Sequence, residues 1–162
     1  LPEVMAAVEV YYAGLDLVRP LIRAQDESQY YATMVIGTIY GDVHTVGKDV
    51  AIPVFQAANY KVVDLGIDVP ASKFIEAIRE HKPQVVGIGT YMSETFLHTG
   101  DVVKAIQDAG LRDQVLIVCG GPAVDSRAAK KMGADDAFDD AWVAVDEVTR
   151  LVGQRFKGGT SR

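Results

Sequence analysis

One cysteine in 162 residues rules out an internal disulfide, and no grouping of Cys and His has the spacing of a structural zinc site. Cys119 ends the apolar run Val115-Leu116-Ile117-Val118 and reads as a buried, inert thiol. No apolar run approaches the length of a membrane span, and the first residues lack the basic-then-apolar grading of a secretion signal. The expectation is a cytoplasmic protein with no membrane partner. Basic residues are in deficit: 16 Lys and Arg against 22 Asp and Glu leave a net charge of -6, with the basic residues scattered, which argues against a general affinity for nucleic acid. Neither a glycine-rich Lys-Ser/Thr phosphate loop nor a serine nucleophile elbow occurs, so nucleotide hydrolysis and acyl transfer find no support.

What is present suits one well-buried domain with a small appendage, since 49% of the residues are apolar and 23% charged. Residues 3 to 23 repeat apolar side chains at Val4, Val8, Tyr11, Leu15, Val18 and Ile22, the spacing of an amphipathic helix that Pro20 kinks or ends. So broad an apolar face needs a partner. Beginning at Leu1-Pro2, the sequence reads as the end of something longer, and the polar link 24–29 marks a boundary. The expected division is a helix in 1–27, a domain in 28–155 and a tail in 156–162.

From Tyr31 onward the pattern alternates. Strands are expected near 33–38, 61–65, 84–89, 115–119 and 135–138, with helices near 49–58, 71–81, 99–109, 125–132 and 140–152. Continuous apolar runs such as Val85-Val86-Gly87-Ile88 mark strands covered on both faces, hence a parallel sheet flanked by helices. The fold class is α/β, a flavodoxin-like doubly wound five-stranded sheet of order 2-1-3-4-5, whose ligand crevice lies outside the carboxyl ends of the first, third and fourth strands.

The residues after those strands are therefore the candidates. Asp42-Val43-His44-Thr45-Val46-Gly47 follows the first strand and supplies an imidazole, a carboxylate that can orient it and a glycine turn, a combination that suits a metal ligand. An Asp-x-His can equally be an ordinary turn or helix-capping pair. Gly89-Thr90-Tyr91-Met92-Ser93-Glu94-Thr95 follows the third strand, with Ser93 and Thr95 either capping a helix or facing the histidine. Gly120-Gly121-Pro122-Ala123 follows the fourth, as a tight turn or as a surface that lets a flat group approach the backbone. A side chain at Gly121 is expected to block that approach at modest cost to the fold. His81, at a helix end, and His98 read as surface residues.

On these three loops the sequence resembles the corrinoid-binding domain family, and in particular the methyl-carrying corrinoid proteins of methyltransferase systems. The family pattern is an Asp-x-His-x-x-Gly loop, a Ser-x-Leu loop and a Gly-Gly turn on a flavodoxin-like sheet. Its histidine replaces the cofactor's own nucleotide base beneath cobalt, and the displaced tail runs into the sheet. The resemblance implies a cobalamin or related corrinoid as cofactor, with His44 as the lower cobalt ligand, Asp42 as its hydrogen-bond partner and Thr95 as the hydroxyl completing the relay. It further implies cofactor contacts from Gly41, Asp42, Val43, His44, Thr45, Val46 and Gly47, then from Gly89, Thr90, Tyr91, Ser93 and Thr95. Gly120, Gly121, Pro122, Phe138 and Ala141 complete the set. Partners would be methyl-donor and methyl-acceptor methyltransferase subunits and a reductive activator, with the chain not catalysing transfer alone. The N-terminal helix is similar to the last helix of the family's four-helix cap. The mutase small subunits and cobalamin-dependent regulators that share these loops are the alternatives.

One departure stands out. Gly89-Thr90-Tyr91 replaces Ser-x-Leu, so Thr90, Ser93 or a backbone group must take over the serine's bond to the nucleotide base, or a different lower base is accepted. Asp49 adds a charge near the loop. Pro53 is expected to delay regular helix until about residue 52, leaving Asp42 to Ala51 as a long adaptable ligand loop.

Overall fold

A computed structural model describes residues 2–18 and 29–158. Internal contacts divide the chain into two units, Leu1–Tyr30 and Tyr31–Arg162. In the first, helix α1 spans Pro2–Val18, with proline in the first turn where its absent N–H costs nothing. Val4, Met5, Val10 and Leu17 are exposed on it. The expected break at Pro20 and the link over 24–28 lie outside the described residues.

The second unit alternates strand and helix throughout: β1 (Ala32–Thr38), α2 (Val46–Ala57), β2 (Tyr60–Asp64), α3 (Ala71–His81), β3 (Val85–Gly89), α4 (Ser93–Phe96), α5 (Thr99–Asp108), β4 (Leu116–Gly120), α6 (Ser126–Lys131), β5 (Asp136–Phe138) and α7 (Ala141–Phe156). All strand pairs are parallel, in the order β2-β1-β3-β4-β5. Among the described residues no helix is long and apolar enough to cross a membrane.

Strand alternation sends side chains to two cores. Val86 and Ile88 of β3 and Ile117 of β4 pack with Phe74 and Ile78 of α3 and Val102 and Ile106 of α5. Met34 and Ile36 of β1, Val85 of β3, and Leu116 and Val118 of β4 pack with Val54 and Phe55 of α2 and Val148 and Val152 of α7. Burying a side chain such as Phe55 or Phe74 contributes about 2–3 kcal/mol, so tertiary packing, more than propensity, holds these short helices.

Register sets where the site lies. Thr38 pairs with Gly89, Gly89 with Gly120, and Gly120 with Phe138, so four strands end level across the sheet. Every loop carrying a candidate residue leaves from that one row.

The helix after β1 begins earlier than expected. Residues 46–51 are helical, with the Asp49 N–H bonded to the Thr45 carbonyl at 2.9 Å, so the ligand loop is confined to residues 39–45 and does not reach Ala51. Pro53 sits inside α2 instead of delaying it. A proline strips only the carbonyl four residues back, and this helix is fixed from both ends: Val54 and Phe55 lie in the core, and Lys48, buried, bonds Asp49 and Asp64 at 2.8 Å each. The short α4 had no separate signal in the sequence.

Candidate functional site

Asp42 is the hub of the site. It lies just past the chain reversal at Gly41, whose φ of +81° favours glycine and whose N–H is held by the Asp68 carboxylate at 2.8 Å. The Asp42 side chain is fully buried and accepts four hydrogen bonds. Oδ1 takes the His44 ring Nδ1 at 2.6 Å and the His44 N–H at 3.1 Å. Oδ2 takes the Tyr91 N–H at 2.8 Å and the Thr95 hydroxyl at 3.0 Å. Burial pushes the carboxyl upward, but the Tyr91 and His44 N–H groups, the His44 ring and the Thr95 hydroxyl outweigh it and hold Asp42 below the usual carboxylate range.

This arrangement fixes the histidine. The Thr38 hydroxyl binds the His44 carbonyl at 2.9 Å, and the Tyr91 ring lies against the imidazole with centroids 5.7 Å apart, an aromatic contact that sequence reasoning did not anticipate. With Nδ1–H donated to Asp42, the unprotonated nitrogen is Nε2, on a side chain that is 54% exposed. Tyr40, Val43 and Leu97 also present apolar surface to solvent.

Below these loops a cleft enters the sheet face covered by α2 and α7. It is lined by Gly47, Gly89, Tyr91, Gly120, Gly121, Pro122, Phe138 and Ala141, all anticipated from sequence. Met34, Ile36, Phe55, Gly87, Val118 and Ala144 line it too and were not anticipated, and so do Lys48 and Ala51, which the expected ligand loop contained without singling them out. Their signals were periodicities: residues 34 and 36 share a strand face, and Lys48, Ala51 and Phe55 share a helix face.

The remaining candidates separate. Thr90 is fully buried with its hydroxyl 3.4 Å from that of Thr95, and Ser93 is exposed at the start of α4, whose N-cap position is Met92 without a side-chain cap. Neither is among the residues that line the cleft, so of the four alternatives for the family serine's bond these two have no support from the geometry. Thr45 occupies the α2 N-cap position without a side-chain capping bond, and Val46 is the first helical residue. Gly121 has φ +126°, and a Cβ there would lie 2.1 Å from the Thr90 carbonyl oxygen, so its absence of a side chain is a requirement of the fold as well as of the cleft. The modest folding cost expected at this position is thus corrected. His81 ends α3, and His98 pairs with Asp101 at 3.1 Å on the surface.

Among the described residues no group of three or more His, Cys, Asp or Glu side chains could hold a metal ion. A lone, pre-oriented imidazole suits a metal that brings its other ligands with it, and a glycine-walled apolar cleft suits a flat appendage of the same molecule. The residues present therefore fit a metal macrocycle with a tail.

Comparison with known proteins leads to the same place. Residues 32–149 match the B12 binding domain family. The chain is 38% identical to trimethylamine corrinoid protein 1 of Methanosarcina acetivorans over 153 residues, 94% of this chain and 71% of that one. A cobalamin-binding protein from Desulfitobacterium hafniense DCB-2 superposes with a TM-score of 0.73 at 31% identity, over 76% of this chain and 60% of that one, so the chain spans less than two thirds of its length. A chain of the methanol:cobalamin methyltransferase complex of Methanosarcina barkeri gives 0.74 at 25% identity, over 99% of this chain and 59% of that one. The chain belongs to the B12 binding domain family, on the branch of the methyl-carrier corrinoid proteins.

Proposed function

We propose that the chain carries a methyl group on the cobalt of a corrinoid between a donor and an acceptor methyltransferase subunit, with a reductive activator as third partner. The observation that carries this reading is the buried Asp42 holding His44 by Nδ1 above a glycine-lined cleft. When bound, the corrinoid supplies the cobalt that accepts and gives up the methyl group. His44 would hold the metal from below through Nε2. Asp42 fixes the tautomer, and Thr95 with the Tyr91 N–H fixes Asp42. With Nδ1 committed to Asp42, Nε2 is the atom at which His44 would hold either a metal or a proton. The similarity to a chain of a methyltransferase complex supports a methyltransferase partner. Apolar side chains exposed on α1 support its reading as part of a helical cap. The buried free cysteine fits a cytoplasmic location.

Reconstitution with cobalamin, reduction to cobalt(II) and electron paramagnetic resonance test the reading. The wild-type chain should show superhyperfine splitting from one nitrogen, and His44→Ala should lose it while retaining corrinoid. Splitting unchanged in the variant would remove His44 as ligand, and failure of the wild type to bind any corrinoid would remove the carrier reading itself.

A further inference from the structure

Gly89 and Tyr91 share one place in the cleft wall. A Cβ on Gly89 would lie 3.1 Å from the Tyr91 Oη, and one on Gly47 would lie 2.6 Å from the same oxygen. The phenol therefore fills the space that these two glycines leave at the cleft mouth, and its hydroxyl stands where a side chain on residue 89 would begin. Gly89 is small because Tyr91 is there.

The hydroxyl is also available. Its oxygen is reached by the Lys48 backbone N–H in the first turn of α2, a turn that Thr45 leaves without a side-chain cap. That occupies an acceptor position, and no described residue accepts the phenolic proton. An ordinary phenol keeps its proton well above neutral pH, so the hydroxyl has an O–H to give. Other donors near the cleft are committed. The Lys48 ammonium is held by Asp49 and Asp64, the Thr90 and Thr95 hydroxyls are buried beside Asp42, and Ser93 is exposed.

A corrinoid whose cobalt takes His44 leaves its own lower base without a metal partner. If that base carries a ring nitrogen and enters this apolar cleft, the nitrogen needs a donor or costs free energy unpaired. We propose that the Tyr91 hydroxyl is that donor and makes the chain selective for corrinoids whose lower base is a nitrogen heterocycle, of benzimidazole or purine type, over those with a phenolic base or no base. This rests on the carrier reading.

The test is titration of the cofactor-free full chain, followed by visible absorbance, with cobalamin, with a cresol-tailed cobamide and with cobinamide, which has no base. Tyr91→Phe should weaken cobalamin binding on the order of 2- to 10-fold, the worth of one net hydrogen bond, and leave cobinamide and the cresol-tailed form unchanged. The double variant Gly89→Ser with Tyr91→Leu, which returns a hydroxyl from the neighbouring wall position, should recover the preference for cobalamin. Equal losses for all three corrinoids, or none, would overturn the proposal. So would tighter binding of cobalamin by Tyr91→Leu, which would make the ring an obstruction. If the wild type binds neither cobalamin nor cobinamide, the carrier reading fails first and this one with it.

Discussion

The Asp42 Oδ2 accepts the Tyr91 backbone N–H at 2.8 Å, tying the loop after β1 to the loop after β3 across 49 residues of sequence. One carboxylate thereby sets both the orientation of the imidazole, through Oδ1, and the position of the segment that carries Thr95 and the Tyr91 ring. Asp42 is as much a folding residue as a site residue, and its substitutions should show both effects.

Asp42→Asn should cost stability on the order of 1–3 kcal/mol at pH 7. Whichever way the amide turns, its NH₂ faces a backbone N–H, that of His44 or that of Tyr91, neither of which can rotate away. The pH dependence has a definite sign. The folded-state pKa of Asp42 is lowered, so its contribution is present above the unfolded value of about 4 and is lost as pH falls through the folded value. Urea unfolding of both proteins between pH 7 and pH 3 should show the gap constant at neutral pH and narrowing below about 4. A gap independent of pH would show that the ionised carboxylate contributes nothing to folding.

Neighbouring glycines should behave oppositely. Gly121→Ala places a methyl 2.1 Å from the Thr90 carbonyl oxygen at φ +126°, so the chain should unfold or lose several kcal/mol whether or not cofactor is present. At Gly120 the nearest atom to a Cβ is the Phe138 carbonyl oxygen at 3.9 Å, an ordinary van der Waals contact on the cleft wall. Gly120→Val should therefore melt within a few degrees of wild type while losing more than tenfold in cobalamin affinity. Thermal melts paired with corrinoid titrations separate the two cases.

On the opposite face of the sheet, Phe74→Ala should cost about 3–5 kcal/mol, since the ring is completely buried in the core formed with α5. Phe74 is not among the residues that line the cleft, so the spectrum of bound corrinoid should be unchanged in whatever fraction remains folded. Altered axial coordination in this variant would mean that the two cores communicate.

What the sequence reveals here depends on the range of the interaction. The order of the strands follows from apolar runs of β-branched residues and their connections, all local patterns, and the Asp42-His44 pair is likewise local. Thr95 could be placed by resemblance alone, because 53 residues separate it from the carboxylate it binds. Tyr91 is legible as a cleft residue but its packing is not: the departure from serine at Gly89 shows in the sequence, while the hydroxyl that fills the same space belongs to a residue two positions on, and only three-dimensional packing brings it there. The early start of α2 is hidden for a similar reason, since Lys48 finds Asp64 at the end of β2.

Hydrogen exchange should register that early start. In the cofactor-free chain Asp49 and Ala51 should be protected, because Asp49 donates to Thr45 within a formed first turn whose helix is anchored by buried Val54 and Phe55. Val43 is exposed and lies in the loop ahead of the helix, so its amide should exchange fast. Cofactor should then slow exchange over 43–45 and change little over 49–51. Fast exchange throughout 43–51 without cofactor would show that Pro53 does hold the helix open until a corrinoid is bound, and that the ordered first turn belongs to the loaded state.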